Sequence, residues 1–363
     1  MKLKTLRDEN VKGKIVLVRV DYNVPIENGK ITSDLRIVAS LSTIEYLLKN
    51  GAKKVVLISH LGRPEKKIDR GEVAEIEQFS LAPVAARLQK LLGGETVGFY
   101  PLPKPHTEVE KSLSELAPMR VALLENLRFD SREEGNAADF AQEIVDFVQP
   151  DLFVQDGFAV THRAHASVDA ITKLVPTVAG FLVEKEVTEL SHAIENPEHP
   201  VLLIIGGAKV EDKQPLIDEF LGKADKIVVG GKIAADGYVA DNAKIYVAED
   251  FDEDARGQKL DVGPVACAKI AEMIADAKTI IWNGLMGKAE DAAYATASEV
   301  VAKMMGKKRD AETIVCGGDT TGFVENLQRE DASLHYSLVS TGGGAALEFL
   351  LGKPSPGIEN LKS

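Results

Sequence analysis

The stretch "IIGGAKVEDK" (residues 204–213) places two glycines and two lysines where an apolar run gives way to a polar one. Gly206 and Gly207 allow other atoms to approach the backbone closely because they carry no side chain. Lys209 and Lys213 each add an ammonium group. Cations beside the free N–H groups at the start of a helix are typical of a phosphate site. The stretch therefore predicts a place for a phosphorylated ligand.

Two further glycine-rich turns occur in the same half of the chain. They are "CGGDTTGF", with Gly317, Gly318, Asp319 and Thr320, and "STGGGAALEF", with Gly342, Gly343 and Gly344. Asp319 is the carboxylate best suited to Mg²⁺, which is usually held by one or two carboxylates together with phosphate oxygens. Three such turns predict a site for a nucleotide triphosphate tail. The common P-loop and dinucleotide fingerprints are both absent from the sequence.

A second group of polar residues follows apolar runs in the first half of the chain. The motifs are "RVDYNVP", "SHLGRP", "LLENLRF" and "THRAHAS". One further arginine, Arg36, lies in the first turn of a predicted helix. Arginine presents a planar fork that suits carboxylates and phosphates. We expect a pocket for a small molecule with more than one negative group, formed by Asp21, Asn23, Arg36, His60, Arg63, Arg128 and Arg163.

Each of these residues also has a simpler interpretation. A single arginine or histidine in a loop is commonly a surface ion-pair partner, and the clustering at strand ends is what favours a pocket. His162 and His165 raise the alternative of a metal site. Arg163 lies between them, however, and no carboxylate or thiolate cluster is nearby, which argues against a metal.

The charge distribution supports anion binding near the amino terminus. The chain has a net charge of −13, yet residues 1–67 contain 14 Lys and Arg against 7 Asp and Glu. That segment is therefore +7 and the remainder is −20. An acidic protein with one basic segment is expected to collect a small anion, and its overall charge argues against nucleic acid or an anionic membrane as the main partner.

The elements that position these residues alternate between short apolar runs and longer amphipathic segments. The run of residues 33–51 predicts a helix capped by Ser33 and ended by Gly51. Eight apolar runs read as strands covered on both faces, at residues 15–20, 54–59, 120–126, 151–156, 201–206, 226–231, 278–284 and 312–318. This alternation predicts an α/β fold with parallel sheets, whose ligands lie at the carboxyl ends of the strands.

The length of 363 residues favours two domains over one. A charged helical segment at residues 176–200 would join a first domain, 1–175, to a second, and ligands would bind in a cleft between the two. The charged start and the absence of a run of about 18 apolar residues predict a cytoplasmic protein. The only cysteines, Cys267 and Cys316, are expected to be reduced core residues.

Eight motifs, in order and spread over nearly the whole chain, resemble those of the phosphoglycerate kinase family. They are "RVDYNVP", "SHLGRP", "LLENLRF", "THRAHAS", "GGAKVEDK", "WNGLMGKAE", "GGDTTG" and "STGGGAALE". The resemblance implies two Rossmann-like domains with parallel sheets, joined by a hinge helix, in a monomer. It also implies phosphoryl transfer between 1,3-bisphosphoglycerate and ADP, giving 3-phosphoglycerate and MgATP. By this resemblance residues 201–345 form the nucleotide domain, and residues 346–363 return to the first domain.

The resemblance also assigns roles to individual residues. It implies that the phosphoglycerate is bound by Asp21, Asn23, Arg36, His60, Arg63, Arg128 and Arg163. It implies that the nucleotide is bound by Gly207, Lys209, Lys213, Gly231, Asn283, Glu290, Gly317, Asp319 and Thr320, with Asp319 as the magnesium ligand and Glu290 on the ribose. The implied catalytic residues are Arg36, Lys209, Gly318 and Gly343.

Departures from the family pattern concentrate in the nucleotide half. The usual "WNGPMG" is "WNGLMG", Lys232 replaces a glycine, and the stretch between Gly231 and Trp282 is shorter than the family norm. Two alternatives therefore remain: a paralogue that binds phosphoglycerate without turnover, and an acyl-phosphate kinase with another carboxylate substrate. A dehydrogenase is disfavoured because the dinucleotide fingerprint is missing.

Overall fold

The computed structural model describes residues 1–64, 77–102 and 119–363. The chain forms two compact units: the first contains Met1–Lys185 and Pro354–Ser363, and the second contains Glu186–Lys353. The end of the chain thus belongs to the same unit as its beginning. Leu3 and Lys362 form an isolated antiparallel bridge within that first unit.

The first unit is built on a six-stranded parallel sheet. Its described strands are β1 (Ile15–Arg19), β2 (Ile26–Glu27), β3 (Lys30–Ile31), β4 (Lys54–Ile58), β5 (Val97–Tyr100), β6 (Val121–Leu124), β7 (Leu152–Gln155) and β8 (Thr177–Ala179). Its described helices are α1 (Leu35–Ala39), α2 (Leu41–Lys49), α3 (Ala82–Leu91) and α4 (Ala138–Val148). The sheet order is β5-β6-β4-β1-β7-β8, and β2 and β3 form a separate antiparallel hairpin. Helix α5 (Phe181–Glu195) then continues into the second unit.

The second unit repeats this plan with the order β11-β10-β9-β14-β15-β16. Its strands are β9 (Val201–Ile205), β10 (Lys226–Val229), β11 (Ile245–Val247), β12 (Phe251–Glu253), β13 (Lys259–Val262), β14 (Thr279–Asn283), β15 (Glu312–Cys316) and β16 (Leu338–Val339). Its helices are α6 (Gln214–Phe220), α7 (Gly231–Ala235), α8 (Pro264–Asp276), α9 (Thr296–Lys307), α10 (Gly318–Glu330) and α11 (Gly344–Leu350). Helix α12 (Pro356–Glu359) follows in the first unit. Strands β12 and β13 form an antiparallel hairpin outside the sheet.

Short 3₁₀ helices complete the described elements, at Leu6–Asp8, Leu127–Phe129, Phe158–Val160, Ala170–Lys173 and Ala292–Tyr294. The described helices include none that is both long and apolar enough to cross a bilayer.

The apolar runs form strands because both of their faces are buried. In β1, Val16 and Val18 enter one core cluster of the first unit, while Ile15 and Leu17 enter another on the opposite face. Successive side chains of a strand point to opposite faces, so a central strand with helices on both sides needs an unbroken apolar run. Burying one such side chain contributes about 1.5–3 kcal/mol. In the second unit Cys316 is buried, as expected, whereas Cys267 is only half-buried; both are free thiols.

The predicted α/β class with parallel sheets is confirmed, and the eight predicted strands are the four inner strands of each sheet. The strands that the sequence did not reveal, β5, β8, β11 and β16, are the sheet edges. Edge strands pair on one side only, and β5 and β11 leave much of their length partly exposed. Their sequences therefore lack the continuous apolar run that marks a fully covered strand.

The helix predicted over residues 33–51 is two helices in the structure, and Ser33 is not its cap. Asp34 precedes α1, and Ser40 separates α1 from α2. The Ser40 hydroxyl donates to the carbonyl of Ile37 at 2.8 Å and lies 2.9 Å from the hydroxyl of Tyr22. This local hydrogen bond competes with regular helix geometry. Gly51 has a φ of +80°, the left-handed conformation expected after a helix.

Asp156 is a buried carboxyl group at the start of α5. Its Oδ1 accepts a hydrogen bond from the backbone N–H of Leu182 at 2.9 Å, and its side chain also bonds to Thr43. Burial raises the pKa of Asp156 from 3.8 to about 7. Because the folded pKa exceeds the unfolded one, the protonated group contributes stability that is complete below pH 3.8 and is lost as the pH rises through about 7.

The variant Asp156→Asn should therefore change the pH dependence of stability. Asparagine keeps the acceptor for Leu182 but does not ionise, so the wild type should lose stability relative to the variant between about pH 5 and about pH 8. Urea unfolding of both proteins, followed by circular dichroism at about pH 5 and about pH 8, measures this difference. The contributions of the other carboxylates cancel because both proteins contain them. A wild-type advantage that is constant or grows with pH would contradict the assigned ionisation.

Candidate active site

In the first unit, polar residues follow the carboxyl ends of adjacent strands. Strands β6, β4, β1 and β7 are neighbours in that order, and they are followed by Arg128, His60, Asp21 and Arg163 respectively. Parallel strands end at the same edge of a sheet, so the topology brings these loops together. The predicted residues of the first unit thus lie together at the carboxyl ends of β6, β4, β1 and β7, which we call the strand edge.

Asp21 and Asn23 anchor two of these loops to each other. Buried Asp21 forms an ion pair with Arg36, and its Oδ1 accepts from the backbone N–H of Asn23 at 3.1 Å. The Asn23 side chain accepts from the backbone N–H of Gly62 at 2.9 Å. Asp21 and Asn23 therefore position the guanidinium of Arg36 and the loop after β4.

Arg128 reaches the same loop from the opposite side. Its Nη1 donates to the carbonyl of Gly62 at 2.7 Å, and its Nε lies 3.0 Å from Glu134. Asn126, which the sequence analysis missed, is fully buried and accepts from the backbone N–H groups of Leu61 and Arg128, both at 3.1 Å. The "EN" of "LLENLRF" is its only sequence signal. Asn126 thus joins the two strand-end loops.

Two of the predicted arginines are less enclosed. Arg63 directly follows Gly62 and is exposed. Arg163 is half-buried, and its Nε donates to Nε2 of His162 at 3.0 Å. An exposed guanidinium can move to meet a ligand at little cost, whereas the buried Arg128 is already fixed in place. The edge therefore presents both fixed and mobile cations.

His60 lies in a strongly positive environment. The side chain is 4% exposed, and the pKa of His60 is lowered well below its ordinary value of 6.5 by burial and by the charges of Arg19, Arg128 and Arg36. The imidazole is therefore neutral at physiological pH. Several arginines at this edge are suited to a ligand with several negative groups.

In the second unit, the described residues enclose a cavity of about 470 Å³. Its lining includes the predicted catalytic residue Gly318 and predicted nucleotide-binding residues, namely Gly207, Lys209, Lys213, Gly231, Glu290, Gly317, Asp319 and Thr320. Asn283 is not part of this lining but accepts a hydrogen bond from Lys213. Gly343 is the predicted residue of this unit that neither lines the described cavity nor bonds to its lining; it precedes α11 with a φ of +50°.

Glycine backbones form one wall of this cavity. Gly207 donates to the carbonyl of Leu285 at 2.8 Å and accepts from the N–H of Ile233 at 3.2 Å. Gly231 has a φ of +60°, and a Cβ there would lie 2.8 Å from the nitrogen of Gly207. The loops after β9, β10 and β14 can pack this closely only because these positions lack side chains.

The two lysines of the opening motif have different environments. Lys209 is exposed at the cavity wall. Lys213 is half-buried, and burial lowers its pKa although Asp212 and Asp319 act in the opposite direction. Lys209 is thus free to follow a moving group, whereas Lys213 is held by Asn283.

Helix α10 directs its amino-terminal end into the cavity. Gly317 precedes it with a φ of +95°, and Asp319 in the first turn is exposed. The hydroxyl of Thr320 accepts from the N–H of Gly284 at 2.9 Å, which fixes the helix start against the loop after β14. The first N–H groups of a helix have no intrahelical partner and attract anions. The cavity therefore combines free donors, cations and, in Asp319, an accessible carboxylate next to those donors.

A further wall, from the hairpin β12–β13, was not predicted. The Nζ of Lys259 lies 4.7 Å from the ring centre of Phe251, and both residues line the cavity. Buried Asp261 anchors the hairpin by accepting from the N–H of Ala297 at 3.0 Å. No sequence motif marks this hairpin. Lys232, whose role the sequence left open, lines the cavity and pairs with Asp236 at 2.7 Å.

Together, a cavity lined by lysines and a helix amino terminus in one unit and an arginine-rich strand edge in the other are the arrangement expected of an α/β phosphotransferase. The phosphoglycerate kinase family model matches residues 6–255 and 234–353. The chain therefore belongs to the phosphoglycerate kinase family.

Individual relatives agree with this family. The phosphoglycerate kinase of Roseiflexus sp. (strain RS-1) is 38% identical over 406 aligned positions, which cover 99% of both chains. That of Levilactobacillus brevis is 39% identical over 404 positions and 98% of both chains. These alignments exceed the 363 residues of this chain, so the relatives contain additional residues.

Solved structures show the same architecture. Phosphoglycerate kinase from Coxiella burnetii superposes with a TM-score of 0.77 at 33% identity and covers 99% of both chains. The enzyme from Pyrococcus horikoshii OT3 gives a TM-score of 0.82 at 27% identity, over 99% of this chain and 98% of that chain.

Proposed function

We propose that the chain transfers a phosphoryl group between 1,3-bisphosphoglycerate and ADP, giving 3-phosphoglycerate and ATP. Its family membership makes it a phosphotransferase with a carboxyl group as acceptor, acting in glycolysis. The observation that carries the assignment of the nucleotide is the cavity of the second unit, where Lys209, Lys213 and the start of α10 line one space.

On this proposal the strand edge of the first unit binds phosphoglycerate. The ligand carries a carboxylate and a phosphate, which matches an edge rich in arginine. The proposed contacts are Asp21, Asn23, Arg36, His60, Arg63, Arg128 and Arg163. The fixed group Arg128 would set the orientation of the ligand, and the exposed group Arg63 would close over it.

The cavity of the second unit would bind the nucleotide phosphates. Helix α10 supplies N–H donors through Gly317, Gly318 and Thr320, and Lys213 supplies a fixed charge held by Asn283. The proposed contacts are Gly207, Lys209, Lys213, Gly231, Asn283, Glu290, Gly317, Asp319 and Thr320. Glycine at positions 207 and 231 leaves the backbone accessible to phosphate oxygens.

The proposed chemistry requires no general base. The acceptor carboxylate is already ionised near neutrality, so catalysis consists of positioning and of stabilising charge on the transferred group. Lys209, Arg36 and the N–H groups of Gly318 and Gly343 are the proposed stabilising donors. His60 is neutral and would serve as a hydrogen-bond donor rather than as a base.

The donor set of the cavity fits a magnesium ion that is shared with the nucleotide. Asp319 is an accessible carboxylate, and the described residues contain no cluster of three His, Cys, Asp or Glu side chains that could hold a metal alone. Mg²⁺ is commonly bound by one or two carboxylates and by substrate phosphates. When bound, the ion would neutralise charge on the phosphates.

The variant Asp319→Asn should uncouple magnesium from nucleotide binding. We expect Mg²⁺ to tighten ADP binding to the wild type and to have about tenfold less effect on the variant, since one ionised ligand is lost. Isothermal titration of ADP with and without Mg²⁺ measures this difference. Asp212→Asn is the matched control, because Asp212 also lines the cavity. Equal magnesium effects in Asp319→Asn and wild type would exclude Asp319 as the ligand.

The proposed function is tested by nucleotide consumption in the presence of 3-phosphoglycerate, coupled to reduction of the acyl phosphate formed. ATP and GTP should be compared, because the hairpin β12–β13 lines the cavity where the family pattern is altered. Acetate should be compared as an alternative carboxylate. Binding of 3-phosphoglycerate without turnover would favour a non-catalytic paralogue, and faster turnover with acetate would favour another acyl-phosphate kinase.

Two further properties are proposed from the family reaction. Glycolytic enzymes work on dissolved metabolites, so we propose a cytoplasmic protein, and we propose that it acts as a monomer because each ligand site is formed within one chain. Sedimentation of the purified protein tests the second proposal, which a stable dimer would contradict.

A further inference from the structure

A fully buried arginine lies beneath the strand edge of the first unit. Arg19 is the last residue of β1 and has no exposed surface. Its Nε donates to Oγ of Ser167 at 2.8 Å, and its Nη2 lies 3.2 Å from Nδ1 of His60. A second fork nitrogen, Nη1, donates to the carbonyl of Val20. The planar guanidinium is therefore fixed by contacts on three sides.

A buried carboxylate balances this charge through a hydroxyl group. Glu133 is also fully buried, and its Oε1 accepts from Oγ of Ser167 at 2.5 Å. Its Oε2 accepts from the backbone N–H of Ser167 at 3.0 Å. The hydroxyl of Ser167 donates its one hydrogen to Glu133, so it can only accept in its hydrogen bond with Arg19. The direction of each hydrogen bond from Arg19 to Ser167 to Glu133 is thereby determined.

The hydrogen bond between Arg19 and His60 can have only one direction. A guanidinium donates and does not accept, so Nδ1 of His60 must be the acceptor and carries no proton. Burial and the neighbouring cations keep the ring neutral by lowering the pKa of His60 well below 6.5. A neutral imidazole has one N–H group, which must then be on Nε2.

We propose that Arg19 is a positioning residue that holds His60 as the tautomer with its proton on Nε2. This inference rests on the proposed phosphoglycerate site, where the Nε2–H group would donate to an anionic oxygen of the ligand. The other tautomer would direct a lone pair at that oxygen. Glu133 and Ser167 support the arrangement by holding Arg19, and none of these three residues need touch the ligand.

The tautomer can be measured directly in the free protein. Long-range ¹⁵N–¹H correlation spectra distinguish protonated from unprotonated ring nitrogens, and the His60 signals are those lost in His60→Gln. We expect one tautomer, protonated on Nε2, that persists from about pH 8 down to about pH 6. A ring protonated on Nδ1, a mixture of tautomers, or a doubly protonated ring within that range would overturn the proposal.

A paired substitution tests the role of Arg19. Arg19→Met alone would leave Glu133 buried without its counter-charge, so the variant to compare is Arg19→Met with Glu133→Gln. We expect its His60 to show mixed tautomers and the KM for 3-phosphoglycerate to rise about twofold, because the competent tautomer is then populated about half of the time. The exposed Arg120 provides the control variant Arg120→Met. An unchanged tautomer in the paired variant would overturn the role of Arg19.

A double-mutant cycle separates positioning from general damage to the fold. Glutamine at position 60 carries an amide donor near the place of Nε2 and has no tautomers. In the His60→Gln background, the paired substitution should therefore no longer raise KM. A rise of equal size in both backgrounds would show a merely structural role. If the paired variant does not fold, the proposal is judged by the tautomer of His60 in the wild-type spectra alone.

Failure of this inference is distinguishable from failure of the proposed function. The spectra require neither substrate nor turnover. A protein that fixes His60 with its proton on Nε2 but does not bind 3-phosphoglycerate would retain the positioning role and lose the proposed substrate. An active kinase with mixed His60 tautomers would retain the function and lose the positioning role.

Discussion

The variant Lys209→Ala should lower kcat by about a thousandfold while leaving the Kd for 3-phosphoglycerate unchanged. Lys209 is exposed at the cavity wall of the second unit, whereas the proposed phosphoglycerate contacts lie in the first unit. Its charge would act mainly on the transferred group, where negative charge is stabilised during transfer. An interaction made only in the transition state affects kcat rather than ground-state binding.

Steady-state kinetics and isothermal titration with 3-phosphoglycerate measure the two quantities separately. Lys223→Ala is the control, because Lys223 in the same unit pairs with Glu219 at 2.6 Å on the surface and does not line the cavity. It should retain wild-type kinetics. Parallel losses of kcat and of 3-phosphoglycerate affinity in Lys209→Ala would show that the lysine supports binding instead.

The parts of the fold that could be predicted are those where a local pattern reports burial. Each inner strand is covered on both faces, and its continuous apolar run records that environment directly. The edge strand β16 is two residues long, Leu338 and Val339, and leaves no comparable pattern. Ser40 interrupts a helical pattern by bonding locally to the carbonyl of Ile37, and its hydroxyl also contacts Tyr22, which is remote in sequence.

The candidate site divides in the same way. Residues that carry charge at a strand exit, such as Arg128 and Asp319, could be proposed from type and position alone. Arg19 and Glu133 could not. Arg19 is a single charge in an apolar strand, and Glu133 is one of several charged residues in the stretch 130–134, so neither pattern indicates that the two are connected through Ser167. That contact joins residues more than a hundred positions apart in the chain.

The hairpin β12–β13 could not be predicted for a different reason. It lies in the part of the chain that departs from the family pattern, so the resemblance supplied no expected role for Phe251 or Lys259. Its hairpin strands are short and largely exposed. Their position at the cavity depends on Asp261, whose carboxylate binds the start of α9.

The variant Gly206→Ala should lower the free energy of unfolding of the second unit by about 3 kcal/mol. A Cβ at this position would lie 2.2 Å from the carbonyl oxygen of Leu285 and 2.5 Å from that of Gly284. Both contacts are with backbone atoms. The carbonyl of Leu285 already accepts from Gly207 at 2.8 Å, and the N–H of Gly284 is bound to Thr320, so neither loop can move without breaking a hydrogen bond.

Trp282 is the only tryptophan of the chain, and it reports on this region. It is fully buried in β14, and its indole N–H donates to the carbonyl of Gly284 at 2.8 Å. Urea unfolding followed by its fluorescence therefore measures the stability of the second unit. Gly222→Ala is the matched control, since a Cβ there meets nothing within 4 Å and its φ lies outside the left-handed region. It should change stability by less than about 0.5 kcal/mol.

Gly206→Ala should also weaken ADP binding, because the two loops that must separate to admit the methyl group carry Gly207 and Leu285 of the cavity wall. Substrate binding by the first unit should be unaffected, since none of these loops belongs to it. An alanine variant as stable as Gly222→Ala, with unchanged ADP affinity, would mean that the two loops can separate freely. The close packing of glycine backbones would then not be what shapes the cavity.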